Sequence, residues 1–423
     1  MAILPQRRLC YSGVYMADVV SIDEKKIDEL LSRSIADVLP TKKELKELLL
    51  SGKRLRFYIG TDATGPQLHL GHSTNYLILE QFRQLGHEIV ILFGDYTALI
   101  GDPTDKEAAR VQQTPAQVAK HILDWKSQVE KIVNFTDSAN PAKILQNSEW
   151  LSKLSFEELI TIASNFTVQH MLERDMFEKR IEAGKPVYLH EFFYPLMQGY
   201  DSVAMNVDVE VGGTDQTFNM LAGRILQKRY HNKEKFVIST TLLANPSTGK
   251  KLMSKSEGNY IALNDTPQDM FGKTMALPDG VVRQMFIDTT NVPLVAIDEI
   301  LDAHPKEAKM RLARELVTMY HSADAAGKAE ADWQNTFSDG GVPEQIPEVV
   351  VSVVTTYLDA LAEALGESKA ELRRLANARA ITDFTMPAAA QQEEKKILDL
   401  SEIISVPKIL RIGKHRFLKI LIK

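Results

Sequence analysis

The sequence of 423 residues has very little cysteine, because Cys10 is the single one. One thiol cannot form an internal disulfide, and no Cys/His cluster has zinc-finger spacing, so we expect a reducing compartment and no structural zinc. No apolar run approaches the ~18 residues of a membrane helix, so no membrane partner is expected. No apolar core follows Arg7–Arg8, which argues against a signal peptide and predicts a cytoplasmic protein.

Net negative charge is the next limit on function. The formal charge of −6 argues against a general nucleic-acid binder. Asp and Glu are nevertheless absent from residues 403–423, which contain the cations Lys408, Arg411, Lys414, Arg416, Lys419 and Lys423. A basic end on an acidic protein indicates one module that meets phosphates while the rest of the chain does something else.

Hydrophobic periodicity predicts an α/β protein. Residues 54–60 have the β-branched and aromatic content of a strand, residues 70–85 have helical spacing up to Gly86, and residues 89–94 form a continuous apolar strand. This order is a βαβ unit of a parallel sheet. Further strands are predicted at 207–211 and 236–240, and helices at 22–53, over most of 105–200 and at 264–335.

A pair of histidines stands at the start of the first βαβ helix, in the run His69-Leu-Gly-His72. Residues at i and i+3 share a helix face, and a helix N-terminus attracts anions through its N–H groups and dipole. Gly71 leaves room for a flat base against the backbone. The run is therefore a candidate site for ATP phosphates, although the same spacing also occurs in metal half-sites and by accident.

A lysine- and serine-containing run, Lys251-Leu-Met-Ser-Lys255-Ser256, follows about 180 residues later. A mobile loop of this composition can close over a triphosphate and neutralise the departing pyrophosphate. Taken alone, it is equally typical of a solvated surface loop.

The two runs, in this order and context, resemble the signature motifs of class I aminoacyl-tRNA synthetases. Three further stretches are similar to the tyrosyl branch of that family: residues 58–64, residues 99–104 and residues 194–201. The stretch 212–219, Gly-Gly-Thr-Asp-Gln-Thr-Phe-Asn, is similar as well. The resemblance is close over residues 50–335 and looser beyond them. It implies a Rossmann-type catalytic domain, activation of L-tyrosine by ATP, and tRNA(Tyr) as partner.

The resemblance also implies a set of site residues. The matching positions for L-tyrosine are Tyr58, Asp62, Asp102, Tyr194, Gln198 and Asp201, with Asn147 and Trp150 as a supporting pair. In the family, the residues matching Tyr58 and Asp201 hydrogen-bond the substrate's phenol hydroxyl. The matching positions for ATP are Gly60, Thr64, His69, His72, Gly213, Asp215, Gln216 and Lys255, with Lys106 and Arg110 in a second mobile loop. Mg²⁺ is expected to accompany ATP, without a protein metal site.

The sequence departs from the family in two places. Leu252 stands where the family has the first lysine of its second motif, with Lys251 just before it. The C-terminal residues resemble a small S4-type RNA-binding domain, but Ala376–Arg379 replaces that domain's glycine turn. Arg373 and Arg374 match its basic helix, while Lys414 and Arg416 lie in what the resemblance implies is its final strand, 410–418.

The predicted domain order follows from these matches. It comprises an N-terminal extension (1–50), the catalytic domain (51–263, with a helical insertion at about 111–200), a helical anticodon-binding domain (264–337), a linker (338–349) and an α+β S4-like domain (350–423). The family's homodimerisation is implied through the insertion. Two alternatives are a tryptophanyl-type synthetase, which the Tyr58/Asp201 pair disfavours, and a non-catalytic RNA-binding paralogue.

Overall fold

A computed structural model describes residues 20–102, 113–245, 249, 252–253, 260–337, 346–383, 395–413 and 416–423. The predicted site residues Lys106, Arg110, Lys251, Lys255 and Lys414 lie outside these ranges. The chain divides into two compact units, one of residues 1–265 and 277–312 and the other of residues 266–276 and 313–423. The predicted helical domain 264–337 is shared between them, and its boundaries stay a prediction.

Helices and strands alternate through the first half of the chain. The elements up to residue 102 are α1 (Glu24–Ser32), β1 (Ile35–Leu39), α2 (Lys42–Leu50), β2 (Arg56–Thr61), α3 (Leu70–Gln84), β3 (Glu88–Phe93) and α4 (Thr97–Ile100). Those up to residue 245 are α5 (Pro115–Val129), β4 (Lys143–Gln146), α6 (Ser148–Leu151), α7 (Phe156–Ala163), α8 (Val168–Leu172), α9 (Asp175–Glu182), α10 (Leu189–Ala204), β5 (Val209–Gly213), α11 (Thr217–His231) and β6 (Phe236–Thr240).

The second half begins helical and ends mixed. Its helices up to residue 337 are α12 (Pro267–Met275), α13 (Val282–Thr289), α14 (Leu294–Leu301), α15 (Pro305–Tyr320) and α16 (Ala323–Phe337). The elements after residue 346 are β7 (Glu348–Val351), α17 (Tyr357–Leu365), α18 (Lys369–Asn377), β8 (Ile381–Asp383), β9 (Lys395–Lys396), β10 (Lys408–Ile412) and β11 (Arg416–Ile422). Within the described residues, no helix is long and apolar enough to cross a membrane.

The sheet of the first unit has the order β1-β6-β5-β2-β3-β4. All neighbours in it are parallel except β1 and β6, which are antiparallel. The five parallel strands therefore run 3-2-1-4-5 in chain order, which is the Rossmann arrangement. The strand order reverses between β2 and β5, so a crevice opens at their carboxyl ends, where such folds bind ligands.

The central βαβ unit forms for the reasons its sequence indicates. Phe57, Tyr58 and Ile59 of β2 and all of β3 after Glu88 are buried, as apolar strands of a parallel sheet must be. His69 caps α3 through its side chain, and Gly86, at φ 96°, turns the chain into β3. The capping box predicted at Ser155 and Glu158 is also present.

Two expectations about secondary structure are wrong, and one short strand lies in a stretch that was expected to be mostly helical. Residues 22–53 are two helices separated by β1, because Ser34 takes a left-handed φ of 56° and the following residues pair with β6. The stretch 105–200 contains β4, a short strand beside β3. The stretch predicted as one strand, 410–418, contains parts of two antiparallel strands, β10 and β11, and Gly413, at φ 71°, follows the first of them.

The C-terminal part of the second unit is a small mixed module. Its sheet has the order β7-β11-β10-β8-β9, with α17 and α18 packed on a core that includes Leu361, Leu372 and Ile420. Arg379 takes a left-handed φ of 56° after α18, where a glycine would adopt this conformation without strain. The left-handed turn therefore persists although its glycine is absent.

Candidate active site

A cavity of about 380 Å³ lies at the carboxyl ends of β2 and β5, at the switch point of the first unit's sheet. Twelve of the residues predicted for substrate binding line it: Gly60, Asp62, Thr64, His69, His72, Asp102, Tyr194, Gln198, Asp201, Gly213, Asp215 and Gln216. Tyr58 is fully buried in β2, directly beneath it. The fold thus brings together stretches that are up to about 150 residues apart in sequence.

One end of the cavity is built around the carboxyl group of Asp201, which is 3% exposed. Trp150 Nε1 donates to one of its oxygens at 2.7 Å and Asn147 Nδ2 donates to the other at 3.2 Å. Burial raises the pKa of Asp201 well above its usual range. The hydrogen bonds from Trp150 and Asn147 lower this pKa in part, and the negative charges of Glu210 and Asp62 raise it further. A hydroxyl group on a ligand would find a poorly hydrated oxygen partner here.

The phenol of Tyr58 is a second polar group close to Asp201, buried in β2 and not among the residues that line the cavity. Its Oη lies 2.9 Å from Ser202 Oγ. Burial, together with the charges of Glu210 and Asp201, raises its pKa well above the usual value, so it stays a neutral hydroxyl.

A second group of carboxylates surrounds the middle of the cavity. Asp62 accepts from Tyr194 Oη at 2.9 Å and from Thr97 Oγ1 at 2.7 Å. Asp102 accepts from Gln216 Nε2 at 2.7 Å. Gly94 makes room for this arrangement, because a Cβ there would lie 2.1 Å from Asp62 Oδ1. Two carboxylates held by neutral donors favour a cationic group between them.

The two histidines form the entrance to α3. His69 Nδ1 accepts from the backbone N–H of Gly71, and His72 Nδ1 accepts from the backbone N–H of His69, both at 3.2 Å. Their ring centroids are 3.8 Å apart. Because each Nδ1 accepts, the proton of each neutral ring belongs on Nε2, which makes that atom a donor suited to phosphate oxygens.

The loop that leads from β2 to His69 is held by one face of α5. The side chains of His121, Trp125 and Gln128, spaced by about one turn each, lie along this face. Their partners are backbone groups of the loop: the carbonyls of Ala63, Gly65 and Pro66 and the N–H of Leu68. This contact was not predicted from the sequence, although the i, i+4, i+7 spacing of polar residues on a helix was visible.

The described residues among those predicted for RNA binding belong to the second unit, whereas the cavity is lined by residues of the first. Arg373 and Arg374 are exposed on α18, and Arg416 is exposed at the start of β11. Arg374 pairs with Glu371 at 2.6 Å and Arg416 pairs with Glu367 at 2.9 Å. These two cations, Arg374 and Arg416, therefore already have local acidic partners.

Comparison with known proteins identifies relatives over most of the chain. A family model described as "tRNA synthetases class I (W and Y)" matches residues 50–338. The chain is 40% identical to a tyrosine–tRNA ligase of Carboxydothermus hydrogenoformans over 414 residues, covering 95% of this chain and 99% of the relative. It is 38% identical to one of Desulfotalea psychrophila over 418 residues, covering 96% and 99%.

Solved structures give the same result for the fold. A C-terminally truncated mitochondrial tyrosyl-tRNA synthetase of Coccidioides posadasii superposes with a TM-score of 0.61 at 27% identity, covering 73% of this chain and 91% of that one. A tyrosyl-tRNA synthetase of Archaeoglobus fulgidus, complexed with L-tyrosine, has a TM-score of 0.56 at 21% identity, covering 73% and 100%, which is a likeness of fold.

Proposed function

The chain belongs to the class I tRNA synthetases of the tryptophan and tyrosine group, and we propose on this basis that it is a tyrosine–tRNA ligase. It activates L-tyrosine with ATP to tyrosyl-adenylate and pyrophosphate, then transfers tyrosine to the 3′-terminal adenosine of tRNA(Tyr). The single observation that carries the choice of amino acid is the pair of Asp201 and Tyr58 at one end of the cavity.

The phenol hydroxyl of tyrosine suits that pair. Asp201 supplies a buried carboxyl fixed by Trp150 and Asn147, and Tyr58 supplies a buried hydroxyl. Phenylalanine would offer neither group a further hydrogen bond and would leave part of the acceptor capacity of the buried Asp201 carboxyl unused, which carries a desolvation cost. Selection of tyrosine over phenylalanine by this type of enzyme is a well-known example of such a penalty.

The α-ammonium group of the substrate suits the middle of the cavity. Asp62 and Asp102 provide negative charge there, while Tyr194 and Gln198 frame the side chain. With the phenol at one end and the ammonium held here, the carboxylate faces the nucleotide side, where Gln216 lies.

ATP belongs at the entrance to α3. His69 and His72 present Nε2 donors at a helix N-terminus, Thr64 adds a hydroxyl, and Asp215 lies beside Gly213 for the ribose hydroxyls. Lys106, Arg110 and Lys255 are proposed to close over the pyrophosphate as its charge develops. The tyrosine carboxylate attacks the α-phosphate, so catalysis rests on positioning and charge stabilisation, with Mg²⁺ accompanying ATP.

The remaining proposals concern assembly and tRNA. The C-terminal module is proposed as an S4-like RNA-binding domain, with Arg373, Arg374, Lys414 and Arg416 as phosphate contacts, and the helical stretch 264–337 as the anticodon side. A homodimer through the inserted region is supported by exposed apolar side chains on its helices, namely Phe156, Ile160, Val168, Ile181 and Leu189. A cytoplasmic location completes the proposal.

ATP–pyrophosphate exchange, measured with each of the twenty amino acids, tests the assignment. We expect exchange with tyrosine and far weaker exchange with tryptophan or phenylalanine at equal concentration. Exchange with tryptophan instead would identify a tryptophanyl-type enzyme. Absence of exchange with every amino acid, in a folded protein, would identify a non-catalytic RNA-binding paralogue.

A further inference from the structure

A buried ion pair lies beneath the tyrosine end of the cavity. Glu210, the second residue of β5, and Lys235, just before β6, are both fully buried. Lys235 Nζ donates to the Glu210 carboxylate and, at 2.9 Å, to the carbonyl of Met220. Charges this deep are costly unless paired, so their retention in a buried strand calls for a reason beyond packing.

The Glu210 carboxylate also holds one side chain that lines the cavity, Gln198, and one that is buried behind it, Ser202. Gln198 Nε2 donates to one of its oxygens at 3.0 Å, and Ser202 Oγ lies 3.5 Å from the other. Ser202 Oγ in turn lies 2.9 Å from Tyr58 Oη. A continuous chain of polar contacts therefore links Lys235, through Glu210, to Gln198 and to the hydroxyl of Tyr58.

The direction of these hydrogen bonds follows from chemistry. An ionised carboxylate only accepts, so Ser202 donates to Glu210 and its oxygen accepts the proton of Tyr58. Ser202 thereby fixes the orientation of the Tyr58 hydroxyl beside the Asp201 end of the cavity. The single proton of a substrate phenol goes to Asp201, and a benzene ring has none to give.

The surrounding backbone leaves space for this network. Gly223, on α11, has no side chain at the point where a Cβ would lie 2.4 Å from Lys235 Nζ and 2.6 Å from Ser202 Oγ. The helix α10, which carries Gln198 and Ser202, approaches α11 closely at Gly199, where a Cβ would lie 3.1 Å from the backbone of Ala222. The pair and its two contacts thus occupy a fitted space between β5 and these helices.

We propose that Glu210 and Lys235 are positioning residues for amino-acid recognition, which fix the Gln198 amide directly and the Tyr58 hydroxyl through Ser202. The inference rests on the proposed function, because it concerns the same cavity and its tyrosine substrate. Neither residue touches the substrate itself. Their effect is on how well the enzyme binds and distinguishes tyrosine, and not on the nucleotide side.

The first test is the double variant Glu210→Gln/Lys235→Met in the full-length protein. It removes both charges with little change of volume, so that no buried charge is left alone. In pyrophosphate exchange we expect KM for tyrosine to rise about tenfold and the preference for tyrosine over phenylalanine to fall about tenfold, as for loss of one well-placed hydrogen-bond network. KM for ATP should stay within about twofold.

A matched control is available in a second buried ion pair of the same unit. Arg180 and Glu191 are equally shielded, at 4% and 3% side-chain exposure, and contact neither Gln198 nor Ser202 among the described residues. Arg180→Met/Glu191→Gln should change KM for tyrosine and KM for ATP by the same factor and leave amino-acid preference intact. A merely structural role for Glu210 and Lys235 would give this same pattern in their double variant.

Ser202→Ala is the second test, and it decides the matter should the double variant fail to fold. It leaves the ion pair intact and removes only the link to Tyr58, so KM for tyrosine and the discrimination against phenylalanine should change while KM for ATP does not. Unchanged discrimination in Ser202→Ala, in an enzyme whose wild type exchanges pyrophosphate with tyrosine, overturns this inference alone. A wild type without tyrosine-dependent exchange overturns the proposed function first.

Discussion

At the scale of single residues, the cavity is shaped by carboxyl groups that are held by neutral donors. Asp201, Asp62 and Asp102 each accept hydrogen bonds from side chains that carry no charge. These donors carry no charge, while the buried guanidinium of Arg174 interacts electrostatically with Asp102.

Asp201→Asn tests the hydroxyl end without changing its size. The amide cannot accept from Trp150 and Asn147 with both of its heavy atoms, and its NH₂ group would face one of those donors. We expect kcat/KM for tyrosine in pyrophosphate exchange to fall by about 10²-fold or more, and the free energy of unfolding to fall by about 1–3 kcal/mol because a buried donor is left unpaired. Exchange with tyrosine at the wild-type rate would show that Asp201 is not the phenol partner.

His87 is a buried histidine outside the cavity whose environment is apolar. Its ring packs against Phe57 and Phe82, and its Nδ1 accepts from the backbone N–H of Leu55 at 3.3 Å. Burial lowers the pKa of His87 from 6.5 to about 4. The folded protein therefore holds this ring neutral where the unfolded chain would protonate it.

The pH dependence of stability follows from that lowered pKa. Above pH 6.5 the His87 ring is neutral in both the folded and the unfolded state, so its contribution to stability is fully present. As the pH falls from 6.5 towards about 4, the unfolded chain binds a proton that the folded protein does not, and this stability is lost. The loss due to His87 is roughly 3 kcal/mol at pH 4. His87→Asn, which retains an acceptor but does not titrate, should flatten urea-unfolding free energies between pH 6.5 and 4.5. An equally steep pH profile in the variant would assign the effect to other groups.

Residues that the motifs did not reveal share one property: their role depends on neighbours far away in sequence. Glu210 is a charged residue in an otherwise apolar strand, and its partners Lys235 and Gln198 lie next to it only in the folded protein. The twelve cavity-lining residues were predictable because they lie in runs that resemble a known family. The ion pair lies behind those runs, where no local pattern indicates its contacts.

At the scale of elements, the central strands and the helix α3 were predictable to within one or two residues at their starts, since apolar runs and a capped amphipathic helix are local properties. The strands β1 and β4 were missed. Both lie at the edges of the sheet, and in β1 only Val38 is buried. Such strands form because a neighbour pairs with them, and that pairing leaves little trace in their own sequence.

The helix α5 is the element on which the nucleotide loop depends. Gln128→Leu would remove the donor to the Pro66 carbonyl and the acceptor for the Leu68 N–H, both next to His69. We expect KM for ATP to rise or the exchange rate to fall by about tenfold, with KM for tyrosine nearly unchanged, because the part of the loop that Gln128 holds leads into the phosphate-binding histidines.

Lys120→Ala, on the exposed side of the same helix, provides the control and should leave both constants unchanged. A Gln128→Leu enzyme that binds tyrosine and ATP equally poorly would instead indicate that α5 supports the whole fold.

At the scale of the whole molecule, the cavity belongs entirely to the first unit, and the basic C-terminus belongs to the second. That separation was predictable from charge alone. The ion pairs that compensate the basic strands within their own module were not predictable. There Lys408 pairs with Asp383 and Lys419 pairs with Glu348, each at 2.6 Å. Those acidic partners precede the basic segment in sequence and meet it only through strand pairing.

Removal of residues 346–423, which excises the module before β7, should leave tyrosine-dependent pyrophosphate exchange nearly unchanged. Aminoacylation should fall through a raised KM for tRNA.

Neutralising Arg373 in the full chain should reduce the slope of tRNA binding against salt concentration by about one unit or less. Arg374 and Arg416 should have smaller effects, because each must leave an acidic partner to meet a phosphate. Equal tRNA affinity and salt slope in the truncated protein would place recognition in the helical stretch instead.

The pairing of β1 with β6 has a consequence for how the protein is made. Ile35 lies opposite Thr240, so the first strand to leave the ribosome must wait for a partner encoded roughly 200 residues later. At about 5–20 residues per second, that delay is on the order of 10–40 s. During it, β2, β3 and β4 are synthesised in succession and can pair with one another. The sheet is thus completed when β6 pairs with β1, so the strand that is synthesised first among those of the sheet is the last to gain its neighbour.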